Sequence, residues 1–319
     1  MSIQASAKSR GRRRLRVTGG LVAFVALTLL TSSATIASPR YAQWSEPQKV
    51  PGMINSAASE NGPAISKDAL TIYFTSTRPN GHGGEDVWVS YRATTASAWG
   101  APVNLAPLNT AINDRVPALS PDGHWMFFAR GTSLATYDLW ASYRSHTHDD
   151  FGPFGWQPPQ PLTSLNTSTA SETAPAYCEG DGGPQLYFAS DRAGGGGDFD
   201  IYVASRQPDG SWGDVMNVAD VNTTSQEARP TLSHNCDEII FHSDRRLRMN
   251  LDLYSARRDP ATGHWSAPEP LSSLNTAAQD GQPALSADGE TLYFFSNRPN
   301  PLGTADLWVS TRTKATGKP

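Results

Sequence analysis

From Trp44 to about Arg312 the chain is a succession of short apolar runs separated by Gly, Pro, Asn, Asp and Ser. The unit is plainest between Asn275 and Trp308. An Asn-Thr pair leads to Asp280 and then to Pro283, which opens the run Ala284-Leu285-Ser286, read as a first strand. Asp288-Gly289 is hairpin chemistry, because Gly accepts the positive φ of a tight turn. Thr291 to Ser296 forms an aromatic second strand, Arg298 opens a polar loop, and a third strand starts at Asp306-Leu307-Trp308. The unit lacks the 3.6-residue period of a helix.

Four further copies lie upstream. The prolines are Pro63, Pro117, Pro175, Pro230 and Pro283, and the acids three residues before them are Glu60, Asp114, Glu172, Glu227 and Asp280. The second strands lead to Arg78, Arg130, Arg192, Arg245 and Arg298, and the third strands begin at Asp86, Asp138, Asp200, Asp252 and Asp306. A fourth element is marked by Trp99, Trp156, Trp212 and Trp265. A period of about 52 to 62 residues with four strands per copy is that of propeller blades. The fifth copy stops after its third strand, whereas Trp44 to Val50 is an orphan fourth strand. The expected fold is therefore all-β, a five-bladed β-propeller of four-stranded blades in which Trp44–Val50 completes the last blade.

Pro117-Ala118-Leu119-Ser120-Pro121-Asp122-Gly123, the Tyr-Phe-x-Ser-x-Arg strand endings and the Gly-rich approach to Asp200-Ile201-Tyr202 resemble the WD40-like propeller repeat of the TolB type. Similar repeats occur in cell-envelope proteins that carry an OmpA-like domain. The resemblance implies the propeller fold and a role as binding platform or scaffold, with no particular partner.

Residues 1–37 stand outside the pattern. Lys8, Arg10, Arg12, Arg13, Arg14 and Arg16 precede an apolar run from Leu21 to Leu30 and then small polar residues, the order of a secretory signal peptide, with an uncleaved membrane anchor as the alternative. The division is then a leader at 1–37, a linker at 38–43, the propeller at 44–313 and a tail at 314–319. Removing six basic residues takes the net charge from −4 to about −10. An acidic exported product, expected to be monomeric, is poorly suited to nucleic acid. Membrane contact is expected only if the leader stays attached. The two cysteines, Cys178 and Cys236, fall at matching places in blades 3 and 4 and are candidates for a disulfide in an oxidising compartment.

Candidate chemistry divides into what repeats and what does not. The five acids and five arginines belong on one face, where an arginine–carboxylate brace is the economical reading. A carboxylate-lined mouth that binds a ligand, or supplies a catalytic pair for glycoside hydrolysis, is the alternative. The five third-strand aspartates read as loop caps or arginine partners, with calcium a minor reading near Asp198 and Asp200. Blade-specific groups are better pointers to a partner: His82 in blade 1 and Arg246, Arg248 and Met249 in the blade 4 loop. The insertion holding His146, His148, Asp149 and Asp150 is a weak metal pattern, for no second His/Cys cluster accompanies it. No nucleophile or phosphate-loop motif is present, and no cofactor or metal is expected. The leading expectation is a non-enzymatic propeller that engages a protein or an envelope glycan.

Overall fold

A computed structural model describes residues 41–146, 155–180, 182–247, 249–299 and 305–315. It is a five-bladed β-propeller, with no helix among the described residues. Blade 1 comprises β2 (Glu60–Ile65), β3 (Thr71–Ser76), β4 (Asp86–Tyr91) and β5 (Val103–Asn104). Blade 2 comprises β6 (Asn113–Leu119), β7 (Trp125–Gly131), β8 (Asp138–Tyr143) and β9 (Gln160–Pro161). Blade 3 comprises β10 (Glu172–Gly180), β11 (Gly183–Ser190), β12 (Asp200–Arg206) and β13 (Trp212–Asn217). Blade 4 comprises β14 (Glu227–Leu232), β15 (Glu238–Leu247), β16 (Asn250–Arg257) and β17 (Glu269–Pro270). Blade 5 combines β18 (Asp280–Leu285), β19 (Thr291–Ser296) and β20 (Asp306–Thr311) with β1 (Gln48–Lys49) from the other end of the chain.

The last blade is thus completed by the N-terminal strand. Its ladder is shorter than the sequence pattern suggests, pairing Gln48 with Val309 and Lys49 with Trp308. Hydrogen bonds from Ser45 N to Thr311 O (2.7 Å) and from Val50 N to Leu307 O (3.0 Å) extend the contact on either side. Lys49 Nζ lies 3.0 Å from the buried carboxylate of Asp306, so the closing strand is fixed by charge as well as backbone.

Four first strands begin at their acid and β6 one residue before it, three or four residues earlier than the proline suggests. A bulge in the strand hides this from a reading by alternation. Registers shift between Asn61 and Ala64, Arg115 and Ala118, Thr173 and Ala176, Ala228 and Thr231, and Gly281 and Ala284. The residue before each proline carries the bulge with a left-handed backbone: Gly62 (φ 53°), Val116 (52°), Ala174 (53°), Arg229 (58°) and Gln282 (52°). Only the first is a glycine, and left-handed φ is costly for the others, most of all for β-branched Val116. The following proline fits because these strands are innermost. One edge of each pairs with its second strand while the other faces the central channel, where a missing N–H costs no ladder bond.

The core lies between blades. The second-strand phenylalanines Phe74, Phe128, Phe188, Phe241 and Phe294 are completely buried. Apolar clusters join blades 1 and 2, 2 and 3, 3 and 4, 4 and 5, and 5 and 1, so every blade packs on both neighbours.

On the face carrying the turns between first and second strands, Cys178 and Cys236 form a disulfide between blades 3 and 4. Their 58-residue separation corresponds to a chain-entropy contribution of about 4 kcal/mol. On the same face Arg312 makes a paired contact with Glu238 of blade 4, at 2.8 and 2.6 Å, and stacks on Tyr41 and Trp44. Blade 4 is therefore tied covalently to blade 3 and ionically to the end of blade 5.

Candidate functional site

The opposite face, here the mouth face, collects the starts of the first and third strands and the ends of the second. Here the five repeat acids and the five arginines meet, within each blade rather than between neighbouring blades. Glu60 pairs with Arg78 (3.0 Å), Asp114 with Arg130 (2.6 Å), Glu172 with Arg192 (3.1 Å), Glu227 with Arg245 (3.1 Å) and Asp280 with Arg298 (2.7 Å). All five carboxylates are 0% exposed. A serine or threonine just upstream, Ser56, Thr110, Thr167, Thr223 or Thr276, also donates to the acid through its backbone N–H and its hydroxyl.

Each arginine donates in addition to a carbonyl in the segment arriving from the previous blade, namely that of Ile54, Leu108, Leu165, Val221 or Leu274. Its guanidinium lies over two rings of its own blade, such as Phe128 and Trp140 around Arg130 (5.3 and 4.4 Å). Burial pushes the carboxyls of Asp114 and Glu172 above the usual range, opposed by hydrogen bonds and by Arg130 and Arg192. Desolvation likewise lowers Arg78 against the pull of Glu60.

A repeated asparagine completes the device and escapes a reading based on charge. The side chains of Asn55, Asn109, Asn166, Asn222 and Asn275 each accept from the N–H and donate to the C=O of one third-strand residue: Leu307, Val87, Leu139, Ile201 and Leu253. The Asn-Thr spelling before Asp280 was the available signal.

The third-strand aspartates have differing partners. Asp86 accepts from the backbone N–H groups of His82 (2.5 Å) and Gly83 (3.1 Å), and Asp200 from those of Gly196 (2.6 Å) and Gly197 (3.4 Å). Asp252 pairs with Arg246 (2.6 Å) and Asp306 with Lys49. Asp138 has no side-chain partner among the described residues, and burial raises its pKa.

Of the blade-specific groups, His82 is exposed. Arg246 is half exposed while it holds Asp252 and the carbonyl of Thr276 (3.3 Å). Arg248 lies outside the described residues, as do His148, Asp149 and Asp150 of the insertion. Leu247 and Met249 flank Arg248 and are 62% and 80% exposed. Among the described residues no three His, Cys, Asp or Glu side chains are grouped to hold a metal ion.

The central channel encloses a cavity of about 110 Å³, lined by the five inner strands. Its repeat positions are Gly62, Val116, Ala174, Arg229 and Gln282, so two of five blades place a long polar side chain where the others have small or apolar ones. Glu85 is held at this mouth by Arg115 (2.9 Å), Asn61 (3.4 Å) and the Tyr137 hydroxyl (3.5 Å). Arg229 has no comparable partner. Desolvation and the field of Arg115 lower its pKa well below the ordinary value, against a weaker pull from Glu85. His242 lies buried beside it, pushed down to about 3 by desolvation and by Arg229. His242 Nδ1 accepts from Gln282 N (3.2 Å), which leaves the proton on Nε2.

No family model and no curated protein matches the chain. Solved structures do. An α-L-arabinofuranosidase from Lactobacillus brevis aligns with a TM-score of 0.57 at 12% identity, over 84% of this chain and 97% of that one. A thermostable family-43 glycoside hydrolase aligns at 0.55 and 15% identity, over 82% and 91%. TolB from Acinetobacter baumannii aligns at 0.49 and 18% identity over 80% of this chain; this chain spans 55% of TolB's length. At such identities the likeness to the two hydrolases is one of fold alone.

Proposed function

We propose that this is an exported, non-enzymatic binding propeller that engages a protein or envelope glycan through its mouth face. The observation that carries the reading is the state of the five repeat acids. A glycosidase needs two carboxyl groups facing its substrate, one as acid and one as base or nucleophile. Here each repeat carboxylate is buried and already bound to an arginine, a serine or threonine hydroxyl and a backbone N–H, an arrangement that supports the blade. What the same face offers to solvent is irregular: Arg246, Leu247 and Met249 project from the blade 4 loop. Exposed methionine and leucine beside arginine suit an interaction surface.

The test is binding of the purified protein to a panel of envelope glycans and envelope fractions. Saturable binding weakened tenfold or more by combined Arg246→Ala and Met249→Asn substitution is the expected result; Asn tolerates the left-handed backbone of Met249 (φ 69°). Release of shortened glycan by the wild-type protein would overturn the reading in favour of hydrolysis.

A further inference from the structure

Six buried side-chain atoms without a hydrogen-bond partner sit on the inner strands or, for His242, on the strand next to one: Asn61 Oδ1, Arg115 Nε, Thr173 Oγ1, Arg229 Nη1, His242 Nε2 and Gln282 Oε1. Arg229 and Gln282 line the channel cavity. Arg115 and His242 are close enough to Arg229 to share its electrostatic field, and Asn61 and Thr173 hold the place in their strands that Arg115 holds in its own. Arg229 is 9% exposed and, among the described residues, its guanidinium has neither a hydrogen bond nor an ion pair. Buried polar groups are ordinarily satisfied, and a buried charge ordinarily has a counter-charge. Two guanidiniums face one carboxylate here, since Arg115 already holds Glu85.

The chemistry of the unmet atoms specifies what would complete them. Arg229 Nη1, Arg115 Nε and His242 Nε2 are donors, which an oxyanion satisfies. Asn61 Oδ1 and Gln282 Oε1 are acceptors, which hydroxyl groups satisfy, and Thr173 serves either way. A guanidinium fork matches a planar carboxylate in particular. The cavity, about 110 Å³, is of the order that admits a ligand of a few heavy atoms. We infer that the channel mouth binds a small hydroxy carboxylate, free or as the acid end of a sugar acid, with Arg229 holding its carboxylate and Gln282 its hydroxyl.

This site goes beyond the binding-platform reading and shares no side chain with the blade 4 loop. The experiment is a thermal-unfolding titration of the full chain with glycerate, propionate, glycerol and inorganic phosphate, alongside calorimetric titration. Glycerate is expected to raise Tm by roughly 3 °C or more near saturation, propionate less, and glycerol not at all. Arg229→Gln abolishes the glycerate shift, Gln282→Asn, which suits the left-handed backbone there (φ 52°) but withdraws the amide, weakens glycerate binding about tenfold with its fold intact by circular dichroism, and Arg246→Ala leaves it unchanged. A wild-type protein indifferent to glycerate, or a shift surviving in Arg229→Gln, overturns the site. Phosphate stabilising more strongly than glycerate overturns the carboxylate assignment.

Discussion

Two sets of buried charges occupy the same face of the propeller and differ in almost every other respect. The five arginine–carboxylate braces recur in every blade, and each arginine is enclosed by its acid, a connecting carbonyl and two aromatic rings. The channel group occurs once, and Arg229 within it has neither a hydrogen bond nor an ion pair among the described residues, only a weak pull from Glu85. Repetition with complete satisfaction is the mark of architecture. A solitary, unsatisfied group inside the same frame is where a ligand is needed.

That contrast is sharpest when one arginine is removed from each set. Arg192→Ala leaves Glu172 buried without its counter-charge and should destabilise the protein by about 3–5 kcal/mol, read from the midpoint of urea unfolding. Equal stability of variant and wild type would remove the distinction between the two sets.

The next effect comes from pH. The folded pKa of His242, about 3, lies below its ordinary value of 6.5. Above 6.5 the ring is neutral whether folded or unfolded and pH has no leverage through it. As pH falls from 6.5 toward 3 the unfolded chain takes up a proton that the folded one refuses, so stability is lost throughout that window. The loss amounts to about 3 kcal/mol between pH 6.5 and 4. His242→Phe, which installs the residue blade 5 carries at the matching Phe295, should flatten this part of the stability–pH curve; an unchanged slope would place the acid sensitivity elsewhere.

Arg229→Gln is expected to act in the opposite direction to Arg192→Ala. Removing an unpaired buried charge should stabilise the ligand-free protein by about 1–3 kcal/mol, measurable as a higher Tm. A loss of stability instead would mean that Arg229 belongs with the architecture. The smallest change is expected at Arg246, whose partly exposed bond to Asp252 contributes less than about 1 kcal/mol, detectable only as a slight shift in urea midpoint for Arg246→Ala.

The repeats made the fold legible in the chain. Five acids at fixed distance from five prolines, five aromatic strands leading to arginine and a spare strand at Trp44–Val50 sufficed for blade number and closure. They also put Glu60 and Arg78, and each later pair, on one face. The burial of the carboxylates was not legible, because the rings that enclose each arginine come from two separate strands. The bulges were hidden for a related reason: the left-handed residues are Val116, Ala174, Arg229 and Gln282 as well as Gly62, and four of these five types do not announce positive φ. Nothing in the sequence around Arg229 marks it out from an ordinary strand residue. Arg246 and Arg248 stand out in the chain as near-adjacent charges in a loop, whereas a single arginine acquires meaning only from its surroundings in the fold.

The shared blade has a kinetic meaning. Asn55 grips the backbone of Leu307 across 252 residues of chain, and Ser45 meets Ser310 across 265. β1 is synthesised first and seated last, since the edge it covers does not exist until β20 has formed. Pairings of such sequence separation form slowly, which makes ring closure the expected late step of folding. Until that step the outer edge of β20 stays open to any other extended chain, including the β1 segment of a second copy. Production of the protein at high concentration thus carries a specific hazard of strand exchange between molecules at blade 5.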